Sequence, residues 1–231
     1  PGCAGAAGAG QGGPRPRQTV VLCTIDAPPV TTVAHDGALD DILREAFRRA
    51  GCKLRMVVAP SERGLVNANS GTVDGVANRI AGLEKGYPNL IRVAEPNMAY
   101  EFMAFARRPL AVKGWDDLRP LRVGLITGWK ILEENTRAAE VIMADGPRQL
   151  FELLMADRVD VVLYERQLGQ HHVAVHGLKG VHALESPLAR RDMHVYLNAR
   201  HAELAPRLAA ALRGMKADGS HAAIIARKSG R

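Results

Sequence analysis

Short apolar runs and amphipathic segments alternate through almost the whole chain, and they do so in two rounds. The first round reads TVVLCTID, DGALDDILREAFRRAG, KLRMVVA, SERGLVNANSG and VDGVANRI. The apolar runs have strand length and β-branched character. The second segment instead places Leu39, Ile42, Leu43, Ala46 and Phe47 at helical spacing and stops at Gly51. Strand, helix, strand, helix, strand in that order predicts a parallel sheet with helices on both faces. The second round reads LRVGLITG, WKILEENTRAAE, VIMAD, GPRQLFELLMADR, VDVVLYE and RQLGQHHVAVHGL, with Pro147 suited to a first helical turn. Between the rounds lie the turn KGYPNLIRVAEPN, the run YEFMAFARR, expected to be a strand exposed on one side, and the loop VKGWDDLRP. A strand, MHVYLNARH, and a helical tail broken at Asp218-Gly219 close the chain.

Two such units in one chain predict an α/β protein of two lobes, each a mainly parallel sheet flanked by helices. Because the second unit precedes the last strand and helices, it reads as an insertion. Lobe 1 is expected at 18–104 and 196–231 and lobe 2 at 105–195, with two hinge crossings near 100–107 and 190–197. Residues 1–17 are rich in Gly, Ala and Pro and read as a flexible leader. The chain does not begin with Met and reads as processed. Cys3 among small residues is a candidate for a lipid left after signal cleavage, although Pro1 suits such a site poorly.

The formal net charge is +7, but the basic residues scatter through every segment rather than forming a patch. Only 4% of residues are aromatic, too few for a base-stacking platform, so no nucleic acid is expected. Three cysteines without a CxxC pattern exclude a disulfide scaffold and give no support to a zinc site. Cys23 and Cys52 could bridge if their strands are neighbours, or be two buried thiols. His172 and His176 have the spacing of a helical metal pair, yet no carboxylate or Cys completes a set, and QHHVAVH reads as a solvated helix face. No nucleophile elbow, metal-binding HExxH, phosphate loop or dinucleotide fingerprint occurs, so no cofactor, no metal and no enzymatic role are expected.

Two stretches echo each other: SGTVDGVANR at 70–79 and ADRVDVVLYER at 156–166. Each sets a Val-Asp pair before a strand and carries a charged residue five positions after the Asp, Arg79 in one and Glu165 in the other. Ligands of open α/β sheets sit beyond the carboxyl ends of the strands. Facing lobes would place Arg79 and Glu165 on opposite walls of a cleft, suiting a carboxylate and an ammonium. Spacing alone fits a surface Arg and a surface Glu equally well. Gly128 at the next strand-to-helix junction predicts an anion site at a helix N-terminus, with Trp129 to stack and Lys130 to add charge. Asp26 reaches the same edge, or else serves a turn beside Pro28-Pro29. Tyr100 and Glu101 lie at the first crossing, against ligand or hinge. Trp115 reads as packing.

The order of these elements, together with APSERGLVNANSGTVDGVANRI, YPNLIRVAEPN, LRVGLITGW, ADRVDVVLYER and LAAALRGMKADGS, resembles the extracytoplasmic solute-binding proteins of bacterial ABC importers, polar amino-acid-type branch. The resemblance covers about residues 18–227. It implies the type II periplasmic-binding fold, a monomer closing on a small polar, anionic or zwitterionic solute, a periplasmic location and ABC permease transmembrane subunits as partners. Glu165 matches the family's acidic ammonium-binding position in lengthened form. Gly128 matches its glycine, while Trp129 replaces the usual small hydroxyl residue. The family's T-x-x-R context is missing, Arg79 stands at the preceding cleft-lining position, and Arg63 in PSER resembles an arginine of a related branch. A ligand-sensing domain and a small-molecule lyase use the same fold and stay as alternatives.

Overall fold

A computed structural model describes residues 18–229. The leader at 1–17, and Cys3 within it, lie outside the described residues.

Strand β1 (Thr19–Thr24) is followed by α1 (Ala38–Arg49), β2 (Lys53–Val58), α2 (Ser61–Ser70) and β3 (Gly75–Arg79). All three strands are parallel, with β1 between β2 and β3. Helix α1 buries the expected stripe, Leu39, Ile42, Leu43, Ala46 and Phe47, against one face of the sheet. Helix α2 covers the other face through Leu65 and Ala68. After the short β4 (Leu90–Arg92) comes β5 (Met98–Ala106). The second round then forms β6 (Arg122–Ile126), α3 (Lys130–Asn135), β7 (Glu140–Ala144), α4 (Pro147–Met155), β8 (Val161–Glu165) and α5 (Arg166–Val175). The two-residue β9 (His182–Ala183), the long β10 (Ala189–Asn198), α6 (Leu204–Ala217) and α7 (Ser220–Ser229) complete the chain.

Two strands join the halves. The first part of β10 pairs antiparallel with β5, from Ala189 opposite Phe102 to Met193 opposite Met98. Its second part pairs antiparallel with β3, beginning with His194 opposite Arg79. The returning chain therefore changes sheets at Met193–His194. The outgoing chain crosses beside it, where Val93 donates to the Val195 carbonyl and Asn97 to the Met193 carbonyl. This first crossing lies earlier than the expected 100–107, because Phe102–Phe105 already pair with β8 in the second sheet. For the same reason β5 is not exposed on one side: Phe102–Ala106 are buried on both faces, with β8 and β10 on its edges.

The echo seen in the sequence has a structural cause. The Asp74 N–H donates to the Val21 carbonyl at 2.8 Å, and its Oδ2 accepts the Val21 N–H at 2.7 Å. In the second lobe the Asp160 N–H donates to the Arg122 carbonyl at 2.8 Å, and its Oδ2 accepts the Arg122 N–H at 2.9 Å. Each aspartate thus pins the first strand of its lobe to the third, one residue ahead of the paired register. Arginines close the arrangement, Arg200 on Asp74 at 2.5 Å and Arg122 on Asp160 at 3.1 Å. Cys23 and Cys52 are both buried and unbridged. Their strands are neighbours, but Cys23 lies opposite Val57 while Cys52 precedes Lys53, which pairs with Thr19 at the other end.

Candidate functional site

The carboxyl end of β3 delivers Arg79 into a cleft between the lobes. Residues of both halves line it: Thr24, Asn78, Arg79 and Leu83 from the first, Gly128, Trp129, Lys130 and Ile131 from the second, with Tyr100, Phe102 and Met193 from the joining strands. The cleft is a small cavity of about 50 Å³ with an opening to solvent.

Gly75 lets β3 sit close enough for this delivery, since a Cβ there would fall 2.2 Å from the Tyr196 carbonyl of β10. Pro60 then starts α2 directly after β2, and Ser61 is buried at that helix start. Arg79 donates from Nη1 to Ser61 Oγ at 2.6 Å and from Nη2 to the Ser61 carbonyl at 2.8 Å. Its Nε is buried without a partner, as is the neighbouring Asn78 Oδ1. Among the described residues Arg79 forms no ion pair. Glu62, the acid that most offsets its buried charge, is bonded to Lys130 Nζ at 2.7 Å and Tyr87 Oη at 2.7 Å. Enclosure of the guanidinium lowers its pKa to about 10, a shift the charge of Glu62 only partly offsets. A guanidinium held at one edge, unpartnered at the other and short of counter-charge has the chemistry to receive a carboxylate.

The facing wall is aromatic. Trp129 lies nearly parallel to Tyr100, with centroids 6.4 Å apart, edge-on to Phe102 and against Tyr164 at 4.9 Å. Burial raises the Tyr100 phenol well above its ordinary range, so it stays neutral.

The other expected residues fall differently. Gly128 and Lys130 line the cleft, but the anion site expected at the Gly128 helix start is filled from within. Glu133 Oε1 accepts the Gly128 N–H at 2.6 Å, and Lys130 bonds both Glu133 and Glu62. Helix α3 also ends at Asn135, well short of the expected segment, because Thr136 turns extended. Gly128 instead serves the lobe contact. It holds φ +86°, its carbonyl accepts Ser61 Oγ at 3.2 Å, and a Cβ there would sit 2.6 Å from the Glu62 backbone nitrogen.

Glu165 is absent from the cleft lining. It ends β8 with no loop residue before α5, so its carboxylate turns to cap that helix, accepting the Leu168 N–H at 2.9 Å. Burial raises its pKa to about 7, against the pull of that N–H. Arg63 is exposed and off the cleft, as is Asp26. Glu101 faces away and holds Arg166 of α5 at 2.7 Å. Trp115 is half-buried against the main hydrophobic core. His172 stacks on Phe151 at 4.8 Å, and burial brings its pKa down to about 4. Ser61 and Asn78 went unnoticed in the sequence, though a polar residue beside a strand-end arginine was a usable sign.

Comparison with known structures settles the architecture. The chain matches a histidine kinase sensor domain similar to periplasmic binding proteins at 19% identity and TM-score 0.77, covering 91% of this chain and 95% of that one. An ancestral arginine-binding protein bound to glutamine matches at 19% identity and TM-score 0.78, covering 93% and 99%. An amino-acid ABC transporter substrate-binding protein of Streptococcus pneumoniae, bound to L-arginine, matches at 13% identity and TM-score 0.76, covering 91% and 94%.

The fold is the two-lobed type II periplasmic-binding fold.

In sequence, an uncharacterized protein of Shewanella oneidensis is 26% identical over 191 residues, which is 77% of this chain and 70% of that protein. No protein-family model matches. Among the described residues no helix is long and apolar enough to cross a membrane.

Proposed function

We propose that this protein captures a small carboxylate-bearing solute between its lobes and presents the closed form to the transmembrane permease subunits of an ABC importer, outside the cytoplasm and as a monomer. The observation that carries the reading is Arg79. It is an enclosed guanidinium whose Nε edge has no partner, at the point where both lobes and both joining strands converge. Closure follows from differential affinity, the solute favouring the state in which Trp129 and Lys130 of the second lobe meet Arg79 and Glu62 of the first. Two of the fold relatives are amino-acid ABC transporter substrate-binding proteins by name, which supports the same reading.

The role is binding rather than catalysis. A lyase on this fold needs a free acid–base group over the solute, and Glu165, a buried carboxyl with a raised pKa near the cleft, is committed to capping α5. A sensor role is the second reading, favoured by the match to the kinase sensor domain.

Thermal unfolding against amino acids, small carboxylates, polyamines, sugars and nucleosides tests the proposal. A solute at a hundredfold excess over its Kd adds about 2.7 kcal/mol of stability. The expected result is stabilisation confined to carboxylates and lost in Arg79→Gln. Stabilisation by polyamines or sugars alone contradicts it. Uptake of the labelled solute by cells lacking the gene separates transport from sensing: uptake falls for a transport protein and persists for a sensor.

A further inference from the structure

The cleft holds a carboxylate receptor but no ammonium receptor. Among its lining residues there is no Asp or Glu. The acids nearby are already engaged: Glu62 by Lys130 and Tyr87, Glu133 by Gly128 and Lys130, Glu165 by the start of α5. Asp26 is exposed and off the lining. Arg79 borders the space without an ion pair among the described residues, so an ammonium placed there meets repulsion as well as loss of water. Most of the remaining wall is apolar or aromatic, with the neutral hydroxyls of Thr24, Thr31 and Tyr100 among it. One polar acceptor is left over, Asn78 Oδ1, buried and unpartnered beside Arg79.

We propose that the solute is a monocarboxylate with an apolar or aromatic body and no α-ammonium group, its carboxylate on the Nε edge of Arg79 and its body against Trp129 and Tyr100. This rests on the solute-binding reading above and narrows it. The unpaired Asn78 Oδ1 adds that a hydroxyl near the carboxylate is accepted, since it needs a donor, while as a neutral amide oxygen it supplies no charge to offset a buried ammonium.

Calorimetric titration with matched pairs tests the idea. The probes are 3-phenylpropionate against L-phenylalanine and 4-methylpentanoate against L-leucine, each pair differing only in the α-ammonium. Glycine betaine is added because aromatic rings can hold a quaternary ammonium without a carboxylate partner. The expected result is that at least one acid binds and that its amino-acid partner binds roughly tenfold more weakly or worse. Arg79→Gln removes the binding of that acid, while in Asn78→Leu an added 2-hydroxyl brings no gain in affinity over the parent acid. Equal or tighter binding of either amino acid, or of betaine, overturns the inference while leaving the solute-binding reading intact. Failure of every carboxylate, in these pairs and in the wider panel, overturns both.

Discussion

Arg79 grips Ser61 twice, at Oγ and at the carbonyl oxygen, and Ser61 passes the contact on to the Gly128 carbonyl of the opposite lobe. One hydroxyl therefore fixes the guanidinium and senses whether the lobes are together. Separation of the lobes frees Ser61 Oγ from Gly128 but leaves Arg79 held within its own lobe, poised for a solute before closure.

Gly128→Ala should uncouple closure from folding. The added Cβ would lie 2.6 Å from the Glu62 nitrogen and 3.0 Å from Ser61 Cβ, at a φ of +86°. The backbone strain costs about 1–2 kcal/mol, which shows as a small fall in Tm. Affinity should fall by roughly tenfold or more, since the closed state is the binding state. Small-angle scattering of the saturated variant should show a larger radius of gyration than the saturated wild type. An unchanged affinity would mean that Gly128 does not meet α2 in the closed form.

Glu62 and Lys130 form an ion pair across the cleft mouth at 2.7 Å, with side chains 38% and 24% exposed. Such exposure limits its worth to about 0.2–1 kcal/mol. Glu62→Gln and Lys130→Met, alone and combined, should each weaken solute binding only a few-fold, and a double-mutant cycle should return a favourable coupling within that range. A zero coupling would show that the pair does not form in the bound state.

Glu165 has a folded-state pKa of about 7 against an ordinary 4.5. Its protonated form is favoured by folding, so its contribution is fully present below pH 4.5 and is lost as pH rises through about 7. The stability of wild type minus that of Glu165→Gln, measured by urea titration across pH, should fall over that interval by up to about 3 kcal/mol and then level off. A difference that rises with pH would assign Glu165 a charged partner instead.

Asp74 and Asp160 hold equivalent places, and their replacement should have matching effects. Each variant, Asp74→Asn or Asp160→Asn, leaves the strand N–H and a half-exposed arginine poorly satisfied, at a cost of about 1–3 kcal/mol. Both aspartates have lowered pKa values, in which hydrogen bonds from Val21 and Arg200 or from Arg122 outweigh burial. Their contribution is present above the ordinary carboxylate range and is lost as pH falls through the lowered value. Solute affinity should stay unchanged, because neither residue lines the cleft. Loss of affinity in either variant would place these clamps in the binding mechanism.

Much of the fold was legible because its signals are local. The alternation of strand and helix periods, the glycine stops and the Asp-Gly break at 218–219 need no tertiary information. The repeat was legible too, but its meaning lay in the aspartates that pin strands rather than in the charged residues that follow them. Arg79 could be read as a cleft residue because a strand end fixes its position. Glu165 could not: the absence of a loop before α5 hands its carboxylate to a helix N–H, a competition that spacing does not reveal. Gly128 lost its anion site to Glu133, five residues on, once α3 folded. Arg63 stands two residues after Ser61 on the same helix, about 200° around it, so the residue that points inward is the serine and not the arginine. The sheet crossing came earlier than expected because apolar runs do not show which strand pairs with which.

Isothermal titration of wild type and Arg79→Gln, using the carboxylate that most stabilises the wild type, tests the central claim most directly. The wild type should bind one equivalent per chain. Arg79→Gln should bind at least roughly a hundredfold more weakly, the loss of a buried charge-assisted pair, while its solute-free Tm does not fall, because the variant removes an enclosed charge that Glu62 offsets only in part and without an ion pair. Equal affinity in the two proteins would contradict the account and move the carboxylate site away from Arg79.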